Sequence, residues 1–500
     1  MGVEVELTRG DILEWKGDGI IISCWEGEDG KGVLSREDGG IQLDRKLGGM
    51  ISSTILEEGF GGKIGSAKVI STLGHPKKII LIGAGKREKF KTDTVRCIGA
   101  KAKEVANEIK LKDIALLFPQ GNIKGFSARE RLAALVEGLM LGGYSFTRYK
   151  KEQDKETLKK VYIFSSGREA LEREIVLASI ETAKAVLYAR DLVNTPAIDM
   201  TPEVLAKEAE AIAEKSHLWC KILTEEEIKK EGMNLILAVS KGSKNPPRLI
   251  HLKYRPKKTK KRIVLVGKGV TFDTGGYNLK STQNIEHMKS DMAGAAAVIA
   301  AMGSLSVTRP DVEVSGFIPA VENAIGGSAI KPGDVIRSRS GKTIEISNTD
   351  AEGRLILADA IDYAIQKERP DILIDIATLT GGVLYALGEL YTAALGNSER
   401  LITRLIRAGL EAGEPIWQLP LEEEYLDGFK EGIADLNNIG KTKAQTIGGA
   451  LFLSEFVKGG VQWAHLDIAA AAWANEDRLY RKKGATGAGT ALFIKFLLGF

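Results

Sequence analysis

The sequence predicts a two-domain α/β protein in which each domain is a sheet layered with helices. Three observations carry this. Short apolar, strand-like runs alternate with longer helix-like ones along the whole chain, which is the pattern of layered α/β architecture. Five hundred residues are too many for one ordinary core. One long helical stretch, Glu169 to Asn194, divides an early alternating set from a later, larger one. With 44% hydrophobic and 27% charged residues, the chain has a globular rather than a disordered composition.

In the first part, residues 1–165, Val3 to Leu7, Gly19 to Ser23, Lys78 to Ile82, Ile114 to Phe118 and Val161 to Phe164 read as strands. Thr94 to Ile109 and Ala128 to Leu141 have the spacing of amphipathic helices, so this part predicts a three-layer domain. Gly83-Ala84-Gly85-Lys86 follows a strand but lacks the third glycine of a dinucleotide fingerprint and the hydroxyl residue a phosphate loop needs, so it reads as a turn. Residues 166–195 form the connecting helix. It is stopped by Asn194-Thr195-Pro196, and Pro202 signals the next helix start. Residues 196–500 form the larger α/β domain, with a central mixed sheet. Its strand-like runs are Cys220 to Leu223, Leu235 to Ala238, Leu249 to Tyr254, Ile263 to Val266, Val312 to Ile318, Thr343 to Ser347 and Ile372 to Ile376.

Chemistry concentrates in two clusters of this larger domain. In Asn348-Thr349-Asp350-Ala351-Glu352-Gly353-Arg354-Leu355 a strand-like run meets the helical run Leu355 to Gln366. Its two carboxylates and arginine can converge beyond the strand end, where open α/β sheets keep ligands. Taken alone, the octet also reads as an ordinary helix start with acidic residues in its first turn. The second cluster runs from Gly267-Lys268-Gly269 through Asp273-Thr274-Gly275-Gly276 to Lys280, followed by Met288-Lys289-Ser290-Asp291 before the alanine-rich helix Ala293 to Met302. Together they supply Lys268, Asp273, Asp291, Asp350 and Glu352. Four carboxylates in one place repel one another, and some stay protonated unless cations sit between them. Two divalent metals remove that conflict and can ionise water at neutral pH.

Composition narrows the alternatives. Seventy basic residues against 66 acidic ones give a net charge of +4, which implies no polyanionic partner. Cys24, Cys97 and Cys220 have neither metal-type spacing nor the makings of a disulfide framework, and fit a reducing cytoplasm. The acidic, strand-like start shows no signal peptide, and no apolar run approaches a membrane span. Lys253 to Arg262 holds seven basic residues between two apolar strands, and reads as a solvated hairpin tip rather than a nucleic-acid contact. The five histidines, His75, His217, His251, His287 and His465, show no His-Glu-x-x-His spacing. Metals would therefore be held by oxygens and one amine.

The pair Val266-Gly267-Lys268-Gly269-Val270-Thr271-Phe272-Asp273-Thr274-Gly275-Gly276 and Asn348 to Leu355 resembles the leucyl (cytosol) aminopeptidase family of two-metal exopeptidases, whose signature is the octet. The resemblance runs from Ala189-Arg190-Asp191-Leu192-Val193-Asn194-Thr195-Pro196 to the C-terminus. Gly10-Asp11-Ile12 and Gly17-Asp18-Gly19-Ile20-Ile21-Ile22 are similar to the opening of a macro-type domain, and the family's N-terminal domain is macro-like too.

The resemblance implies a metallo-aminopeptidase that releases leucine and similar residues from the N-termini of short peptides. One metal is then held by Asp273, Asp350 and Glu352, and the other by Lys268, Asp273, Asp291 and Glu352. The ions are manganese or zinc first, with magnesium or cobalt as alternatives. Lys280 stays protonated and polarises the substrate carbonyl, and Arg354 anchors a bicarbonate that relays the proton. The substrate positions are Met288, Asn348, Thr378, Leu379 and Gly381, with Ala469 to Ala472 closing the pocket. His287 has no role in the family pattern, and His465 reads as a satisfied buried histidine. The chain departs from the pattern at Ala470, usually glycine, at Lys441 to Thr446, usually richer in glycine, and at Tyr277-Asn278, usually smaller; these bear on substrate preference. The family also implies a cytoplasmic homohexamer with the larger domains at its centre and no membrane association. Some members bind DNA, so the alternative is a DNA- or nucleotide-binding regulatory protein on the same scaffold.

Overall fold

The structure, a computed structural model, describes residues 3–35, 39–117, 127–151, 156–165, 169–259, 261–441 and 443–500. Phe118, residues 166–168, Lys260 and Thr442, which carry parts of the expectations above, lie outside the described residues. The chain forms two compact units. One is Met1–Lys184 with Asp477–Lys482, and the other is Ala185–Glu476 with Lys483–Phe500. The division between them falls inside the helix Glu169–Asn194.

The first unit has the expected three layers. Its seven-stranded sheet runs in the order Glu4–Thr8, Lys160–Phe164, Asp113–Leu117, Gly19–Glu26, Lys78–Gly85, Ala67–Ser71, with Gly32–Leu34 beside Gly19–Glu26. Side chains alternate across it: Ile21, Ile80, Ile82, Ile114 and Leu116 enter one apolar layer with the helices Thr92–Glu108 and Ala128–Leu141. Ile20, Ile22, Ile79, Leu81 and Ala115 enter the other, with Gly40–Lys46 and Met50–Glu57. Gly83 and Gly85 end a strand rather than forming a turn. A Cβ at Gly83 would lie 2.0 Å from the Lys63 carbonyl, so close backbone approach requires glycine there.

The second unit is built on a nine-stranded mixed sheet. The order is Ile416–Gln418, Thr392–Gly396, Gln462–Asp467, Ile372–Ala377, Arg262–Gly267, Glu313–Asn323, Arg248–Tyr254, Trp219–Leu223, with Gly269–Asp273 on Glu313–Asn323. Four central strands, Gln462–Asp467, Ile372–Ala377, Arg262–Gly267 and Glu313–Asn323, are parallel, so their C-terminal ends share one edge. In register there, Gly267 pairs with Ile376, and Ala377 with Asp467. Helices cover both faces. Pro202–Lys215, Ala293–Thr308, Glu399–Ala412 and Thr490–Leu498 pack on one apolar layer, and Asn234–Ser240, Gly353–Glu368 and Gln445–Ser454 on the other. Pro202 starts its helix as expected, with Thr201 as the cap.

Three further expectations are corrected. Leu235 to Ala238 is not a strand but the middle of the helix Asn234–Ser240, whose first amides, of Leu235 and Ile236, are accepted by Asp359 Oδ2 at 2.8 and 3.4 Å. Lys253 to Arg262 is not a hairpin tip, because Glu313–Asn323 lies between the strands it joins. Lys253 is also neutralised internally, 2.8 Å from Glu313 and in contact with Glu368. Finally, Met288–Thr308 is long and apolar enough to cross a membrane, but 78% of that window is buried inside the fold, the mark of a core helix.

Candidate metal centre

The candidate residues converge on the shared C-terminal edge of the parallel strands, the position ligands take in open α/β sheets. Lys268 follows the strand Arg262–Gly267 directly. Its amide donates to the Ile376 carbonyl at 3.0 Å, which fixes where the side chain starts. Asp273 ends Gly269–Asp273, and a glycine turn then leads to Lys280. Gly275 has φ +85, and a Cβ on it would stand 2.4 Å from the Asn278 carbonyl, so both conformation and space demand glycine. Asp291 lies in the short 3-10 turn Met288–Met292 that leads into Ala293–Thr308. Asp350 and Glu352 occupy the loop before Gly353–Glu368.

Side chains from four segments meet here. Lys268 Nζ is 2.8 Å from Asp291 Oδ1, 2.9 Å from Glu352 Oε1 and 2.8 Å from the Thr378 carbonyl. Lys280 Nζ is 2.8 Å from Asp273 Oδ2 and 2.6 Å from Asp350 Oδ1. Lys268, Asp273, Asp291 and Glu352 are all buried, and Asp350 partly so. Oxygens of Asp273, Asp350 and Glu352 lie within 4.8 Å of one another, a spacing that could hold a metal ion.

Electrostatics show that lysines alone do not balance the cluster. Burial, then the Glu352 charge, pushes the Asp273 carboxyl up to about 7, against the pull of Lys280 and Lys268. Burial raises Asp291 and Asp350 as well, with Glu352 adding to both. Glu352 goes the other way: burial works against its ionised form, but the two lysines outweigh it. Burial also works against the charge on Lys268 and Lys280, yet the surrounding carboxylates hold both above the ordinary lysine value. The two lysines match only two of the four carboxylates. Correspondingly, Asp291 Oδ2 and Glu352 Oε2 are buried and accept no hydrogen bond among the described residues. Unpaired carboxylate oxygens at such depth are what cations satisfy, so this donor set fits divalent metals.

Arg354 is buried in the first turn of Gly353–Glu368. Its Nη1 donates to the Asn438 carbonyl at 3.0 Å, while Nε is buried without a partner among the described residues. Burial lowers its pKa to about 10 despite Glu352 and Asp467, which favour the charge. No ion pair joins it to Asp350 among the described residues, so the purely structural pairing gains no support. Arg354 Nη2, Leu379 Cδ2 and Thr380 Cγ2 all crowd Gly449, where a Cβ would meet them at 3.7, 3.0 and 3.2 Å.

The candidate substrate positions are placed less uniformly. Thr378 is in the cluster, its hydroxyl donating to Asp291 Oδ1 at 2.8 Å. Leu379 is half-buried, its amide donating to Asp467 Oδ1 at 3.1 Å. Gly381 caps Gly382–Leu387 at the exposed end of that loop. Met288 is half-buried at the start of the turn that bears Asp291. Asn348 shapes its own loop, its Oδ1 accepting the Asp350 amide at 2.8 Å. His287 stacks on Trp473 with ring centroids 5.2 Å apart. His465 is buried with Nδ1 2.6 Å from Asp375, but its Nε2 has no partner, so it is only half satisfied.

Sequence reasoning missed the polar residues behind the cluster. Asn323 Nδ2 donates to Asp273 Oδ1 at 2.8 Å, Thr349 and Asn278 exchange hydrogen bonds, and Asp467 accepts from Leu379, Thr380 and Ala469. The available signal was placement, because Asn323 and Asp467 each end a central strand at the site edge.

The chain is similar to known proteins along nearly its whole length. The pattern of the cytosol aminopeptidase family, catalytic domain, matches residues 187–494, and that of the same family's N-terminal domain matches residues 24–153. A probable cytosol aminopeptidase of Persephonella marina is 42% identical over 503 residues, covering 99% of each chain. One of Geobacter sp. (strain M21) is 40% identical over 502 residues, again covering 99% of each. Among solved structures, a mutant of tomato leucine aminopeptidase superposes with a TM-score of 0.89 at 34% identity, covering 100% of this chain and 97% of that one. A bottromycin maturation enzyme in complex with Mn gives 0.85 at 31% identity, covering 97% and 99%.

Proposed function

The chain belongs to the cytosol aminopeptidase family and is a metal-dependent peptidase; on that premise we propose that its acidic cluster is a two-metal centre releasing leucine and similar N-terminal residues from short peptides. The observation that carries this reading is the pair of buried, unpaired oxygens, Asp291 Oδ2 and Glu352 Oε2, beside the close Asp273–Asp350–Glu352 oxygens.

Asp273, Asp350 and Glu352 would hold one ion, and Lys268, Asp273, Asp291 and Glu352 the other. When bound, two divalent ions lower the pKa of water and draw electrons from the scissile carbonyl. Lys268 would ligate through a neutral amine. The carboxylates that now hold its proton would be neutralised by dications, which invert the local preference. Lys280 remains an ammonium and donates to the carbonyl oxygen as negative charge develops there. Arg354, with Nε unpartnered and no carboxylate paired to it among the described residues, would offer a fork for bicarbonate as the proton acceptor. Thr378, Leu379, Gly381, Met288 and Asn348 are the positions that would contact the substrate.

Manganese is the first choice of metal, as in the Mn complex of the bottromycin enzyme, then zinc; magnesium and cobalt suit such oxygen-rich sites too. A cytoplasmic homohexamer acting on short peptides is the setting the relatives' kinship favours. The alternative, a DNA- or nucleotide-binding regulator, has no support in the site geometry. The test is hydrolysis of a leucine chromogenic amide before and after chelation. Activity should vanish with the chelator and return with manganese or zinc, and chelator-resistant turnover would contradict the reading.

A further inference from the structure

Asp273 is the carboxylate asked to touch both ions, so the use of its two oxygens decides the shape of the centre. Asn323 ends the strand Glu313–Asn323 and is buried at 2% exposure. A register irregularity between Val270 and Asp273 brings Asp273 directly opposite it. Asn323 Nδ2 donates to Asp273 Oδ1 at 2.8 Å and to the Thr349 carbonyl at 3.1 Å. The Thr349 carbonyl can only accept, so the amide faces it with Nδ2 and in just one orientation. The Gly275 amide donates to the same Asp273 Oδ1, also at 2.8 Å. That oxygen thus has two donors, whereas Oδ2 faces the centre, 2.8 Å from Lys280 Nζ.

The same asparagine joins the two ligand-bearing loops. Its main-chain carbonyl accepts from the Thr274 amide and the Thr274 hydroxyl, both at 3.0 Å. Through the Thr349 carbonyl it reaches the loop of Asp350 and Glu352, and Thr349 closes the circuit. The Thr349 hydroxyl donates to the Gly275 carbonyl at 2.6 Å, its amide to Asn278 Oδ1 at 2.9 Å, and it accepts the Asn278 amide at 2.9 Å.

We propose that Asn323 is a positioning residue: by occupying Asp273 Oδ1 it leaves Oδ2 as the oxygen that Asp273 would offer to metal, and it locks the two ligand loops to each other. This rests on the two-metal reading above. Asn323 touches neither substrate nor metal. It acts as the hydrogen-bonded partners of metal ligands generally do, by fixing ligand orientation, a role whose loss costs about 10–100-fold in metal affinity.

The test is a calorimetric Mn2+ titration of metal-free wild type and Asn323→Ala, with EPR of the loaded forms and melting of the metal-free ones. Wild type should take up two Mn2+ with an exchange-coupled spectrum. Asn323→Ala should bind the weaker ion about 10–100-fold less tightly. Its coupling should also change, because a freed Oδ1 would let Asp273 offer metal a second oxygen. If Asn323→Ala does not fold, Asn323→Ser, which keeps one donor, provides the same readouts. A variant with wild-type affinities and spectrum would overturn the proposal, even if its metal-free form melts lower, since Asn323 would then serve the fold only. Wild type binding fewer than two ions would instead overturn the two-metal reading on which it rests.

Discussion

Gly353→Ala probes the centre through a single methyl group. Gly353 opens its helix against the Lys268 tail, and a Cβ there would lie 2.6 Å from Cε, 2.7 Å from Nζ and 2.8 Å from Cδ of Lys268. Non-bonded carbons settle at about 3.5–4.0 Å, so roughly 1 Å of overlap must be relieved. The tail has little slack, because Nζ is pinned at 2.8 Å by Asp291 and the Thr378 carbonyl and at 2.9 Å by Glu352. Gly353 is helical, so alanine brings no backbone strain and gains roughly 0.5–1 kcal/mol of helix preference, against about 1–3 kcal/mol for overpacking. The fold should survive. A catalytic group displaced by about 1 Å costs around a hundredfold, so kcat/KM should fall about that much, or roughly 2.7 kcal/mol. The assay is leucine-amide kinetics, with metal content and melting temperature measured on the same preparation. Wild-type kcat/KM with full metal content would show that the position of the Lys268 amine is irrelevant to the chemistry, and the ligand assignment would fall.

Three further outcomes are expected. Lys280→Ala should retain both metals yet lower kcat about 10²–10³-fold, the usual loss for one oxyanion donor; loss of metal instead would make Lys280 a ligand. In carbonate-free buffer, wild-type activity should rise with added bicarbonate and Arg354→Ala should not respond, with Arg354→Lys recovering only part; a flat wild-type titration would sink the relay. The metal-free protein should lose stability as pH rises from the ordinary aspartate value of 3.8 through about 7, because the raised Asp273 pKa favours the folded state only while that carboxyl is protonated. Melting against pH with and without Mn2+ checks this, and the decline should vanish when metal is bound.

Much of the protein was legible in the sequence because its signals are local. A short continuous apolar run wrote out strands such as Lys78–Gly85, which is buried along nearly its whole length, and the octet and the Lys268–Lys280 run fall at strand ends where the parallel sheet brings them together. What stayed hidden depends on residues distant in sequence. Leu235 to Ala238 is a short apolar run that fits helix or strand equally. It becomes helical where Asp359, more than a hundred positions away, accepts its first amides. Lys253 to Arg262 looks like a hairpin because nothing local shows that Glu313–Asn323 slots between its strands. Asn323 and Asp467 carry no motif of their own, and their roles exist only through partners that the fold delivers.

Metal stoichiometry in wild type and Glu352→Gln, measured beside leucine-amide turnover, tests the two-metal centre most directly. Glu352 is buried between Lys268 and the close carboxylate oxygens, with Oε2 unpaired, and is assigned to both ions. Wild type should hold two divalent ions per chain. Glu352→Gln removes a charged ligand shared by both, so it should hold at least one ion weakly and lose most of its kcat. Full occupancy with wild-type kcat in Glu352→Gln would contradict the centre as assigned.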